Sequence, residues 1–94
     1  MLHELFEIIQ DRKKKRPPGS YTVHLLDAGL DEILQKVGEE AVEVILASKG
    51  QGSQRLVEET ADLLYHTLVL LSASNLTLDD VEKELRKRHQ PEAG

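Results

Sequence analysis

An all-α bundle of four to five helices is what this 94-residue sequence predicts, built around an antiparallel helix pair at about residues 30–48 and 54–74. Three observations lead there. Apolar residues recur at helical spacing in successive stretches, and no stretch alternates apolar and polar residues at strand period. The breaks between stretches carry Pro and Gly. The two strongest stretches are joined by a short turn, which makes antiparallel neighbours of them.

The first helix follows from Leu2, Leu5, Phe6, Ile8 and Ile9 and runs to about Lys15. A basic run, Arg12 to Arg16, then meets Pro17-Pro18-Gly19, which ends the helix and makes a loop. Ser20 caps a short helical turn starting at Tyr21, and Gly29 breaks it. From Leu30 to about Ser48, Ile33, Leu34, Val37, Ala41, Val44 and Ile45 share one face, the mark of an amphipathic helix. Lys49 to Ser53 is a turn with Ser53 as its expected cap, and a long helix runs from Gln54 to about Ser74. Its second half is apolar almost all round, so a central, buried position is expected. Thr77 with Asp80 forms a capping box that opens a last helix, Leu78 to about Arg88. The polar tail from His89 is expected to fray. All 94 residues make a single domain, residues 1–19 being the N-terminal helix and basic Pro/Gly loop.

Composition narrows the function. The chain is 39% apolar and 31% charged, as a folded, surface-charged helical protein would be. A domain this small buries only about 60–65% of its unfolded surface, so pairing with a second copy is a natural way to bury more. A net charge of −5, with Phe6, Tyr21 and Tyr65 as the only aromatic residues, argues against nucleic-acid binding. There is no cysteine, which removes disulfides and thiolate metal sites. The least charged run, Leu63 to Leu78, is too short and too polar to span a membrane, and no leader pattern opens the chain. A cytoplasmic protein is expected.

The acidic residues of the helix pair are the chemically informative ones. Glu40 and Glu43 lie three apart on one helix, with Glu39 beside them, and Glu59 and Asp62 lie three apart on the next. Side chains at that spacing are neighbours, and like charges there repel. At 100° per residue Glu40 falls at the edge of its helix's apolar stripe. Glu59, Asp62 and His66 share a face that continues as Val69, Leu70 and Ala73, so protein is expected to cover part of it. Partial burial makes the repulsion worse, and a hard divalent cation relieves it. Magnesium takes oxygen ligands and shares its remaining positions with phosphates, so the two pairs form a candidate magnesium cradle for a polyphosphate. A lone Glu-x-x-Glu is usually a solvated face; the pairing of two on adjacent helices is what lifts this one. Glu58 points away from the shared face and is read as structural.

Two longer strings, Gln35-Lys-Val-Gly-Glu-Glu-Ala-Val-Glu43 and Glu58-Glu-Thr-Ala-Asp-Leu-Leu-Tyr-His66, preceded by Ser20-Tyr-Thr, closely resemble phosphoribosyl-ATP pyrophosphohydrolase, of the all-α nucleotide pyrophosphohydrolase or MazG-like superfamily. The superfamily pattern of Glu-x-x-Glu and, after a turn, Glu-x-x-Asp falls on Glu40, Glu43, Glu59 and Asp62. The resemblance implies a Mg²⁺-dependent homodimer that hydrolyses phosphoribosyl-ATP to phosphoribosyl-AMP and pyrophosphate, the second step of histidine biosynthesis. The metal would be held by those four carboxylates, and Glu39 or Glu43 would take the proton of the attacking water.

Other roles stay open at this point. Lys36, one turn before Glu40, either touches a phosphate or forms an ordinary helix ion pair with Glu40. His66 either binds substrate or a ligand carboxylate, or packs as a structural histidine. Ser20 and Tyr21 either bind substrate or serve capping and packing. The run Arg12 to Arg16 either captures an anionic substrate or is a solvated helix end. Rival readings are a housecleaning hydrolase of noncanonical nucleoside triphosphates, a non-enzymatic dimeric helical module, and a di-iron carboxylate bundle. The last wants a Glu-x-x-His pair that neither helix carries.

Overall fold

The computed structural model describes residues 1–90. Five helices follow in order, α1 (Leu2–Lys15), α2 (Tyr21–Ala28), α3 (Leu30–Ser48), α4 (Ser53–Ala73) and α5 (Leu78–Arg88), with no strand among the described residues. The all-α expectation holds, and its boundaries are met to within a residue. The expected frayed tail lies, beyond Gln90, outside the described residues.

Local chemistry accounts for each end. Arg16 adopts the left-handed conformation and returns its N–H to the Arg12 carbonyl, so α1 stops just ahead of the two prolines. Ser20 caps α2 by accepting from the Val23 N–H at 3.3 Å. The turn before α4 differs from expectation. Ser53 is the first helical residue, not the cap; the cap position is Gly52, whose φ of 93° suits a residue without a Cβ. Asn75 takes a left-handed conformation after α4, sending the Leu76 N–H to the Leu71 carbonyl and its own to Ser72, a Schellman closure. At α5 the Thr77 hydroxyl accepts from the Asp80 N–H while the Asp80 carboxylate accepts from the Thr77 N–H, the reciprocal box expected.

The antiparallel α3–α4 pair is the spine, and α1 and α2 pack against one end of it. There Phe6, Ile9, Leu25, Ile33, Leu68, Val69 and Leu78 form the core. The other end of the hairpin has no such cover. Val42, Ile45 and Leu46 on α3 and Val57 on α4 are all exposed, as is Leu34 from the predicted α3 stripe. The second half of α4 is central, as expected, but Leu64 remains 43% exposed.

The basic run turns out to be largely engaged. Lys13 Nζ donates to the Ser72 carbonyl at 2.7 Å and to Asn75 Oδ1 at 3.3 Å, tying α1 to the end of α4. Arg12 and Lys15 pair with Asp11, and Arg16 pairs with Asp27. Replacing Lys13 with Met should therefore lower stability by about 1–2 kcal/mol, because a charged donor to a carbonyl is lost. Replacing Lys14 with Met should change it by less than about 0.5 kcal/mol. Urea denaturation of the two variants measures both.

Candidate active site

The hairpin brings three of the four expected carboxylates together. Glu40 from α3 and Glu59 and Asp62 from α4 each offer an oxygen within 4.8 Å of the others. The i, i+3 spacing puts Glu59 and Asp62 on one side of α4, and the antiparallel packing of α3 presents Glu40 to them. Glu43 stays outside this trio, half-buried, but near enough for its charge to act on Glu40. Glu39 is exposed on the outer face with Lys36 Nζ at 3.9 Å. The Lys36 ion pair thus forms with Glu39 and not with Glu40.

The trio is electrostatically strained. Glu59 is 6% exposed, Glu40 half-buried and Asp62 exposed. Glu40 Oε2 is buried and has no hydrogen-bond partner. Burial first, then a hydrogen bond shared with the Glu59 side chain, then the charges of Asp62, Glu59 and Glu43 push the Glu40 carboxyl up to about 7. The shared hydrogen bond needs a proton on one of the two carboxyls. Once that proton leaves, the buried oxygen needs a donor or a cation to satisfy it.

Part of the compensation comes from a residue that sequence reading missed. Arg55, one turn before Glu59, places Nη2 at 2.5 Å from Glu59 Oε1 and Nη1 at 3.1 Å from Glu58 Oε1. Those carboxylates, Glu58 foremost, hold its guanidinium more firmly protonated than usual. The signal was present as an Arg at i−4 from an acidic ligand candidate. Glu58 is exposed and spent on Arg55 and Gln54, in keeping with its structural reading.

His66 and Tyr21 meet each other. The His66 ring, 6% exposed, has Nδ1 at 2.8 Å from the Asp62 carbonyl and Nε2 at 3.1 Å from the Tyr21 hydroxyl. A carbonyl only accepts, so Nδ1 carries a hydrogen and donates it to the Asp62 carbonyl, while Nε2 shares a hydrogen bond with the Tyr21 hydroxyl. Tyr65 stands edge-on to His66 with centroids 5.1 Å apart and bonds Thr22 through its hydroxyl. Burial raises the pKa of that phenol. Two consecutive residues of α4 thus hold the first two residues of α2. The Ser20 hydroxyl is used as the α2 cap.

Oxygen donors alone, on two rigid helices, with one buried oxygen lacking a donor, make a set that fits a hard divalent cation such as Mg²⁺. Fold and site together define an all-helical protein with a carboxylate cluster on its central hairpin. Residues 2–89 match the family described as phosphoribosyl-ATP pyrophosphohydrolase. Proteins named phosphoribosyl-ATP pyrophosphatase are similar over nearly the whole chain. That of Clostridium acetobutylicum is 50% identical over 90 residues, covering 96% of this chain and 82% of the relative. That of Pelotomaculum thermopropionicum is 50% identical over 90 residues, covering 96% and 92%. That of Listeria welshimeri is 53% identical over 88 residues, covering 94% and 84%. This chain belongs to the phosphoribosyl-ATP pyrophosphohydrolase family.

The Glu40 carboxyl sets a pH dependence with a definite sign. Raised from 4.5 to about 7 in the fold, it contributes stability that is fully present below about 4.5 and lost as pH rises through about 7. Screening at this half-buried group limits the loss to about 1–2 kcal/mol. In EDTA, the melting temperature should fall between pH 5.5 and 8, and Glu40→Gln should flatten most of that fall. Differential scanning calorimetry across the range checks it; an equal fall in the variant would contradict the assignment.

Proposed function

We propose that this chain hydrolyses phosphoribosyl-ATP to phosphoribosyl-AMP and pyrophosphate, the second step of histidine biosynthesis, with Mg²⁺ as the cation held by its carboxylates. The observation that carries the reading is the convergence of Glu40, Glu59 and Asp62, with a buried Glu40 oxygen that lacks a donor, in a chain of this family. Glu40, Glu59 and Asp62 would hold the metal, with Glu43 joining from the next turn of α3. Bound there, Mg²⁺ supplies Lewis acidity and neutralises charge on the triphosphate and the departing pyrophosphate.

The chain's own groups do the rest. Glu43 is half-buried beside the trio and forms no ion pair among the described residues, so we assign it the proton of the attacking water. Glu39 is the other candidate base, set back by its place beside Lys36. Lys36, one turn before Glu40 and paired with Glu39, would turn to a phosphate at the site's edge. Tyr21 and His66, bonded to each other and to the Asp62 carbonyl, would contact substrate beside the trio. The bond that breaks joins the α- and β-phosphates; water's oxygen stays with one product and its proton passes to the carboxylate.

A homodimer accompanies this reading. Val42, Ile45, Leu46 and Val57 leave the bare end of the hairpin apolar, and a chain this small gains core by pairing. No helix among the described residues is long and apolar enough to cross a membrane, which agrees with a cytoplasmic enzyme.

Glu40→Gln and Asp62→Asn should each cut pyrophosphate release from phosphoribosyl-ATP by about 100-fold or more, roughly 2.7 kcal/mol in barrier height, with the far-ultraviolet circular dichroism retained. Activity should require Mg²⁺ and disappear in EDTA. Glu43→Gln should lower kcat by about 100-fold while Glu39→Gln stays within about threefold, by the usual worth of a general base. Near-normal turnover in both Glu40→Gln and Asp62→Asn refutes the site. Sedimentation equilibrium tests the dimer, which Ile45→Glu should dissociate.

A further inference from the structure

Resting on that reading of the reaction, a second site deepens it. Phosphoribosyl-ATP carries anionic charge at two ends: the triphosphate that is cleaved, and a 5′-phosphate on the second ribose, across the adenine. The carboxylate trio serves only the first. An anion at the other end calls for a cation and a cavity placed beyond the trio.

The structure has both. A cavity of about 460 Å³ opens between the loop of residues 16–20 and α2, with Arg16, Ser20, Tyr21, His24 and Asp27 among its lining. It is a groove open to solvent rather than an enclosed pocket. It adjoins the acidic site through one side chain: Tyr21 lines the cavity and its hydroxyl bonds His66 Nε2, and His66 lies one turn, about 6 Å along α4, from Asp62. We infer that this cavity receives the distal 5′-phosphate of phosphoribosyl-ATP, with the Arg16 guanidinium as its chief partner, and so separates this substrate from ATP.

Arg16 suits that task better than its neighbours in the basic run. Of the run Arg12 to Arg16, Arg16 is the residue that lines the cavity, and Lys13 is tied instead to Ser72 and Asn75. Arg16 is fixed at its backbone by the α1 cap, so its side chain projects from a rigid point at the cavity. Its partner, Asp27, is 61% exposed, and an exposed pair of this kind holds weakly. A phosphate offers the guanidinium two oxygens in fork geometry and displaces such a pair. Asp27 is the opposing charge in the cavity, and it becomes the natural competitor of the phosphate. His24, exposed and stacked with Tyr21, is the second polar ring on the wall.

The test uses the full chain and two variants, Arg16→Gln and Asp27→Asn. The KM for phosphoribosyl-ATP is compared with the inhibition constant of ATP as a competitor, since ATP lacks the distal phosphate. Arg16→Gln should raise the ratio of the two about tenfold, and Asp27→Asn should lower it. In parallel, ribose 5-phosphate is titrated into the isotope-labelled protein. It should shift the amide signals of Gly19, Tyr21 and His24 in the wild type, and ten times more should be needed in Arg16→Gln. A ratio within twofold of the wild type in both variants, or equal titration curves for wild type and Arg16→Gln, overturns the inference. Failure of the wild type to hydrolyse phosphoribosyl-ATP would instead fall on the preceding reading, and the ribose 5-phosphate titration would still decide this one.

Discussion

Mutual repulsion among three carboxylates at the middle of the α3–α4 hairpin is the constraint to which the site is fitted. Glu40, Glu59 and Asp62 converge within 4.8 Å, and such a group survives in a folded protein only with a counter-charge or a retained proton. Both devices are visible. Arg55 leans on Glu59 from the preceding turn, and Glu40 keeps a proton to about neutral pH. The helices provide the rigidity that holds the groups close despite their charge, because a shift of α3 against α4 would disturb the packing of both.

The remaining elements are arranged around that hairpin. The core of Phe6, Ile9, Leu25, Ile33, Leu68, Val69 and Leu78 locks α1 and α2 onto one end of it. Tyr65 and His66 then seize Thr22 and Tyr21, so the start of α2 is held to the same helix that carries Glu59 and Asp62. One imidazole, with a hydrogen bond at each nitrogen, thereby joins the carbonyl of an acidic residue to the wall of the neighbouring cavity. The polar links in this chain are partly buried, where a hydrogen bond is electrostatically stronger than in water.

Much of this was legible in the sequence, for physical reasons that differ from place to place. Helix limits were readable because they are written in local chemistry: prolines after Arg16, the Thr77–Asp80 box, glycines at the turns. The acidic pairs were readable because a spacing of three fixes two side chains on one helix face. What escaped were facts that depend on how helices meet. Sequence spacing cannot tell that Glu43 sits just outside the cluster while Glu40 enters it, since that depends on the rotation of α3 about its own axis. Lys36 chose Glu39 over Glu40 for the same reason. Ser53 looked like a cap by composition, but Gly52 holds the position because the turn needs a positive φ there. Lys13 looked like one of five solvated cations, and only the tertiary fold brings the Ser72 carbonyl to it.

Arg55 has a consequence for how such a site fills. Its guanidinium already rests against the most deeply buried of the carboxylates. A metal ion bound as proposed would compete with Arg55 for Glu59 while finding the Glu40 oxygen unpartnered. The net grip on the newcomer is the difference between two attractions, which moderates affinity and leaves the ion-free protein with its charges tolerably balanced.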